Sequence, residues 1–140
     1  MTKSKAALTY RAAKKKAWTE FSKYIRTRDC LQSTGRSYYG KCFTCGRIYE
    51  FELLQAGHFV GNRNSSILFD ERNTHIQCSL CNCGLDGNKN AYAKKMQQLY
   101  GLEVIDKLLI LARQVKKYSV GELEGLAIYF RGKTAELIND

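Results

Sequence analysis

Cys42-Phe-Thr-Cys45 and Cys78-Ser-Leu-Cys81 are two C-x-x-C pairs in a chain of 140 residues, and they restrict its fold more than any other feature. Two residues between thiols let a tight turn aim both sulfurs at one ion, so two such pairs make a closed tetrahedral zinc site with Cys42, Cys45, Cys78 and Cys81 as its ligands. Between the pairs lie 32 residues, 46–77, more than the roughly 15–20 of a simple zinc ribbon. Something is therefore carried inside the clamp. A redox pair would call for one C-x-x-C between a strand and a helix in a βαβ setting, and no such pattern is present. Cys30 and Cys83 are left over as thiols outside the clamp.

The cysteines point to a reducing compartment, since the chain opens without the charged and then apolar segments of a secretory leader. The cytoplasm is the expected location. Apolar runs such as 108–112 are far shorter than the ~18 residues of a membrane span. The length fits one domain, 1–140.

The formal charge is +10 and unevenly placed. Residues 1–36 hold ten Lys/Arg against Glu20 and Asp29, whereas 37–90 balance five against five. A basic N-terminal segment of this kind neutralises a polyanion, and DNA is the partner it suggests, through Lys14, Lys15, Lys16, Lys23, Arg26 and Arg28, with Arg63 and Lys89 further on. A merely solvated helix face is the plainer alternative.

Residues 8–29 read as one amphipathic helix with Ala13, Ala17, Phe21, Tyr24 and Ile25 on the packed stripe and Trp18 beside it. The turn formers of Gln32-Ser-Thr-Gly35 place its end near Cys30. Residues 38–59 suggest two short strands around the first knuckle, and the next stretch a loop-rich region. Helical periodicity returns over 90–100 and 102–117 with Gly101 as a break, and Ser119-Val-Gly-Glu122 opens a last helix that has Leu123, Leu126, Ile128, Tyr129 and Leu137 to bury. The fold class is α+β: a zinc-stabilised core over 38–89, a basic N-terminal helix and a helical part over 90–140. The apolar faces of 102–138 exceed what so small a core uses, so a homodimer is expected to bury them.

Within the insertion lies Ala56-Gly57-His58-Phe59, and the second knuckle runs Glu71-Arg-Asn73-Thr-His75-Ile-Gln77-Cys78-Ser-Leu-Cys81-Asn82, with Gly87-Asn88 a few residues on. This string resembles the HNH or ββα-metal endonucleases that carry zinc, in which a strand-end His is followed by N-x-x-x-x-C-x-x-C-[NH]. Within them it most resembles the phage NinG/Rap recombination endonucleases, and it is similar to recombination endonuclease VII. The resemblance covers about residues 20–110 and is densest from Cys42 to Asn88.

It implies a metal-dependent endonuclease acting on branched recombination intermediates in the host cytoplasm, with structural Zn²⁺ and catalytic Mg²⁺ or Mn²⁺. His58 would be the general base, a task for which an ordinary imidazole pKa of about 6.5 is suited. Asn82 would hold the catalytic ion on the helix after the hairpin, and Asn73 would fix the loop that orients His58. Gly57 departs from the pattern, because many HNH enzymes carry a metal-binding Asp there. His75 is the candidate replacement, ahead of Glu71, Asp70 and Asp86. Each residue has a plainer role: His75 as a brace of the knuckle, Asn82 as a helix cap and Asn73 as a turn residue. The competing functions are a zinc-stabilised DNA-binding module without catalysis and a structural zinc domain.

Overall fold

The computed structural model describes residues 4–61 and 66–139. A long helix, α1 (Lys5–Thr34), leads into two antiparallel hairpins, β1 (Tyr39–Lys41) with β2 (Ile48–Glu50) and β3 (Leu54–His58) with β4 (Thr74–Cys78). A π-helical turn over Leu80–Gly84 follows, then α2 (Lys89–Tyr100), α3 (Leu102–Ala112) and α4 (Val120–Ile138). Mixed α and β structure is as expected. No helix among the described residues is long and apolar enough to cross a membrane.

The first helix runs past Cys30, where the sequence suggested its end. Residues Ser33 and Thr34 act as cap chemistry rather than as a break: both hydroxyls donate to the Cys30 carbonyl, at 3.4 and 2.9 Å. Gly35 then closes the helix in the left-handed region (φ 77°), its N–H on the Leu31 carbonyl at 2.9 Å. A side chain would be strained at that φ. The expected stripe is the buried one: Ala13, Ala17, Phe21, Tyr24 and Ile25 pack with Leu68, Phe69, Leu123 and Phe130. Edge-to-face ring contacts such as Phe21–Phe130, with centroids 4.8 Å apart, close this core, and each fully buried large side chain contributes about 1.5–3 kcal/mol.

The Ser119–Glu122 capping box forms, with Glu122 N–H on the Ser119 hydroxyl at 3.0 Å and Ser119 N–H on the Glu122 carboxylate at 3.3 Å. The buried face of α4 is Leu123, Ala127, Phe130 and Thr134, whereas Ile128 and Tyr129 are exposed, against expectation. Spacing of four, three and four keeps the first set on one side, and 128 and 129 fall off it. A second core joins Tyr92, Met96, Leu108 and Ala112 with Ile67. The inward faces of α3 and α4 are thus spent within the chain, and of the surface expected to meet a second copy Leu102, Leu109, Ile110, Val115, Ile128, Tyr129 and Ile138 are exposed.

In the second hairpin Gly57 pairs with His75 and Gln55 with Gln77. Alternation along a strand places Gln55, Gly57, His75 and Gln77 on one face and Ala56 and His58 on the other. On the first face Gln55 meets Asn82 of the π turn and His75 meets Tyr100 of α2. On the second, Ala56 and His58 pack toward α1.

A four-cysteine cluster beside an open basic cleft

The four knuckle sulfurs, those of Cys42, Cys45, Cys78 and Cys81, lie within 4.8 Å of one another, and Cys45 and Cys78 are 3.9 Å apart. A tetrahedral zinc–thiolate shell with bonds of about 2.3 Å has edges of about 3.8 Å, so the donor set and its spacing fit such an ion. The first knuckle is closed by the Gly46 N–H on the Cys42 carbonyl at 2.9 Å, and Cys81 N–H faces the Cys78 sulfur at 3.5 Å. Burial pushes the Cys42 thiol up, but hydrogen bonds from the Thr44 hydroxyl and the backbone N–H groups around it outweigh this and hold it at about 6. Cys45 is pushed up to about 12 by burial and by its sulfur neighbours. One thiolate forms readily in this cluster and discourages the next, which a dication reverses.

This cluster ties the turn of the first hairpin to the end of β4 and the π turn, and beside it opens a cleft of about 1290 Å³. His58 and Asn82 both line that cleft, as do Gln55, Asp86 and Lys89. Its opposite wall is α1, through Arg11, Lys14, Lys15, Trp18, Ser22 and Arg26, which recur at helical spacing. Trp18 packs on the His58 ring with centroids 5.1 Å apart.

The strand end that carries His58 is held from several directions. His58 Nε2 lies 3.0 Å from the Leu68 carbonyl; a carbonyl only accepts, so Nε2 bears a hydrogen. Asn73 is fully buried and brackets Val60, accepting its N–H and donating to its carbonyl, both at 2.9 Å. The Tyr92 hydroxyl donates to the Gly57 carbonyl at 2.6 Å. Lys89 reaches across to donate to the carbonyls of His58 and Phe59 at 2.6 and 2.7 Å. Asn82 sits on the π turn rather than on the following helix, and its amide donates to Gln55 Oε1 at 2.8 Å.

Several residues stand elsewhere than the sequence suggested. Arg28 faces inward: Nε donates to Asp29 at 2.8 Å, and its terminal nitrogens donate to the carbonyls of Glu71 and Thr74 at 2.9 and 2.8 Å. Its charge serves the interior and not a phosphate. His75 is also buried, with Nδ1–H on Asp29 Oδ2 at 3.1 Å and Nε2 hydrogen-bonded with the Tyr100 hydroxyl at 3.0 Å. Neither nitrogen is left for an ion, and the ring stacks on Phe43 at 4.1 Å. Asp70 is bound by Arg72 at 2.9 Å and Glu71 faces Lys133 at 3.5 Å, which leaves Asp86 as the acidic candidate in the cleft. Lys16 and Lys23 are exposed on α1 but do not line the cleft. Arg63 lies outside the described residues.

Sequence reasoning did not single out Trp18, Gln55, Gln77 and Tyr92 as parts of this arrangement. Only Gln77 left a trace, as one residue of the string from Glu71 to Asn82.

The family described as Bacteriophage Lambda NinG protein matches residues 2–140, nearly the whole chain. The chain belongs to the NinG family. Two curated NinG proteins, those of Escherichia phage 933W and Enterobacteria phage VT2-Sa, are each 28% identical to it over 99 residues, 70% of this chain and 48% of theirs. The chain spans about half the length of these NinG relatives. No solved structure matches it.

Proposed function

We propose that this NinG-family chain is a zinc-stabilised, divalent-metal-dependent DNA endonuclease of the HNH type that acts on branched recombination intermediates. The observation that carries the reading is that His58, from within the insertion, and Asn82, from just past the last clamp cysteine, line one cleft whose other wall is the cationic side of α1. The order β3, β4, turn, α2 agrees with a ββα-metal core.

In this reading a DNA backbone lies along α1, where Arg11, Lys14, Lys15 and Arg26 meet phosphates and fix its register. His58 takes a proton from the attacking water, its ring held in place by the Leu68 carbonyl. A water oxygen–phosphorus bond forms, the bond to the 3′ oxygen breaks, and that oxygen takes its proton from solvent. Asn82 is the protein oxygen offered to Mg²⁺ or Mn²⁺, and such an ion supplies neutralisation of the phosphoryl oxygens and of the leaving group. The thiolate-bound zinc is scaffold. Related cuts in two strands call for two active sites, which a C2 pair of chains provides.

The test is incubation of the full chain with a labelled four-way junction and a matched duplex, without added metal and with Mg²⁺ or Mn²⁺. Junction cleavage that needs the ion and is lost in His58→Ala, with zinc content and junction binding retained, is the expected result. If the wild type cuts neither DNA with either ion, the chain is a zinc-stabilised DNA-binding module, the reading that Gly57 favours.

A further inference from the structure

Among the described residues, one buried side-chain polar atom has no hydrogen-bond partner: Gln77 Oε1. The side chain is fully buried on β4, and its orientation is determined by its other end. There the amide nitrogen donates to the Gly87 carbonyl at 2.8 Å and to the Thr44 hydroxyl at 3.1 Å. The Gly87 carbonyl can only accept, so the nitrogen belongs on that side and the oxygen on the other. An acceptor shut away from water without a donor forfeits its hydration and gains nothing in return. Such an oxygen calls for a positive partner.

Where Oε1 points is specific. It stands against Gly57, in the place a side chain at that position would occupy; a Cβ there would collide with it and would lie 3.0 Å from Asn82 Oδ1. Two carboxamide oxygens therefore converge in front of Gly57. Asn82 has its own nitrogen committed to Gln55 at 2.8 Å, so its oxygen, like that of Gln77, is presented by a fixed amide. Carbonyl oxygens of Asn and Gln are ordinary ligands of hard divalent cations, which bind through few protein groups when phosphate completes the shell.

We propose that Gln77 Oε1 is a second protein oxygen for the divalent ion, next to Asn82 Oδ1, and that residue 57 is glycine because this oxygen fills the space of its side chain. The inference rests on the reading of Asn82 as the ion's ligand. Since both oxygens are neutral, the ion binds weakly until DNA phosphate joins it. Gln77 also links the ion site to the zinc clamp, because the Thr44 hydroxyl it holds lies 3.4 Å from the Cys42 sulfur.

The experiment is a Mn²⁺ titration of the zinc-loaded full chain without DNA, read by calorimetry and by the electron paramagnetic resonance of the free ion. Gln77→Glu, which keeps the oxygen and adds charge, is expected to tighten Mn²⁺ binding by about tenfold, and Gln77→Met, of similar length without the oxygen, to weaken it by about tenfold. If both variants retain one zinc and the wild-type circular dichroism yet bind Mn²⁺ as the wild type does, the proposal is overturned. Should either variant fail to fold, the wild type decides: Mg²⁺ must shift the side-chain carbonyl ¹³C signal of Gln77 more than that of Gln55, and an unmoved Gln77 signal overturns the assignment. Cleavage of a four-way junction is assayed in parallel. A chain that binds Mn²⁺ through Gln77 but cuts no DNA refutes the nuclease reading alone, whereas a chain that cuts DNA with Gln77 indifferent refutes the ligand assignment alone.

Discussion

The Lys89 ammonium donates to the carbonyl oxygen of His58 at 2.6 Å and, at 2.7 Å, to that of Phe59. A side chain read from the sequence as a phosphate contact is thus spent on the strand end that presents the proposed base. Burial pulls its pKa down, and two backbone acceptors fix its position. In the nuclease reading, Lys89→Met should lower kcat for junction cleavage by about a hundredfold through misplacement of His58, with little change in junction affinity. A fall in affinity, a salt slope reduced by about one and an unchanged kcat would instead make Lys89 a phosphate contact.

Asp29 holds α1 against β4. It accepts from Arg28 Nε at 2.8 Å, from His75 Nδ1 at 3.1 Å and from the Ile76 N–H at 2.9 Å. Burial works to raise its pKa, but the hydrogen bond from His75 and the charge of Arg28 outweigh this and hold it below the usual carboxylate range. A depressed folded-state pKa contributes stability that is fully present above the unfolded value of about 3.9 and is lost as pH falls through the folded one. Urea unfolding should therefore show the Asp29 contribution intact at neutral pH and failing below about pH 4. Asp29→Asn should cost about 3–5 kcal/mol at neutral pH by leaving Arg28 buried without its counter-charge, and the acid-side loss should shrink. A variant as stable as the wild type at neutral pH would contradict this.

The cysteine cluster makes a separate demand. A structural zinc and its fold form together, so a strong chelator should unfold the region it pins and the loss of metal should raise the accessible thiol count. Elemental analysis should find about one zinc per chain, and Cys78→Ser should lower the melting temperature and the zinc content together. A chain that keeps its melting temperature after exhaustive chelation would remove zinc from the account of its fold.

The clamp, the packed stripe of α1, the helix break at Gly101 and the capping box of α4 were all legible because each is a local pattern with its own chemistry. Thr34 and Gly35 were misread as a helix break because cap residues and turn residues are the same types, and only the path of the chain tells them apart. Arg28 and His75 show a different limit. Their charge and spacing suited phosphate and metal, yet the pairing of α1 with β4 turns both inward onto Asp29, a contact between residues 46 apart in the chain. Gly57 was legible as a departure, but its reason lies on the neighbouring strand, in Gln77.

The arrangement of cations on α1 separates two ways in which it could meet DNA. Lys14, Lys15 and Arg11 face the cleft that contains His58, while Lys16 and Lys23 lie on other parts of the helix surface. If the basic segment acts only as a diffuse polycation, reversing any two of its charges weakens binding alike. If the DNA runs through the cleft, Lys14→Glu with Lys15→Glu should reduce junction affinity far more than Lys16→Glu with Lys23→Glu. It should also lower the slope of log affinity against log salt by about two, one for each lost phosphate contact. Both pairs leave the formal charge of the chain equally reduced, so net charge cannot produce the difference. Equal losses from the two pairs, measured across a salt series, would place the DNA outside the cleft and separate the basic helix from His58.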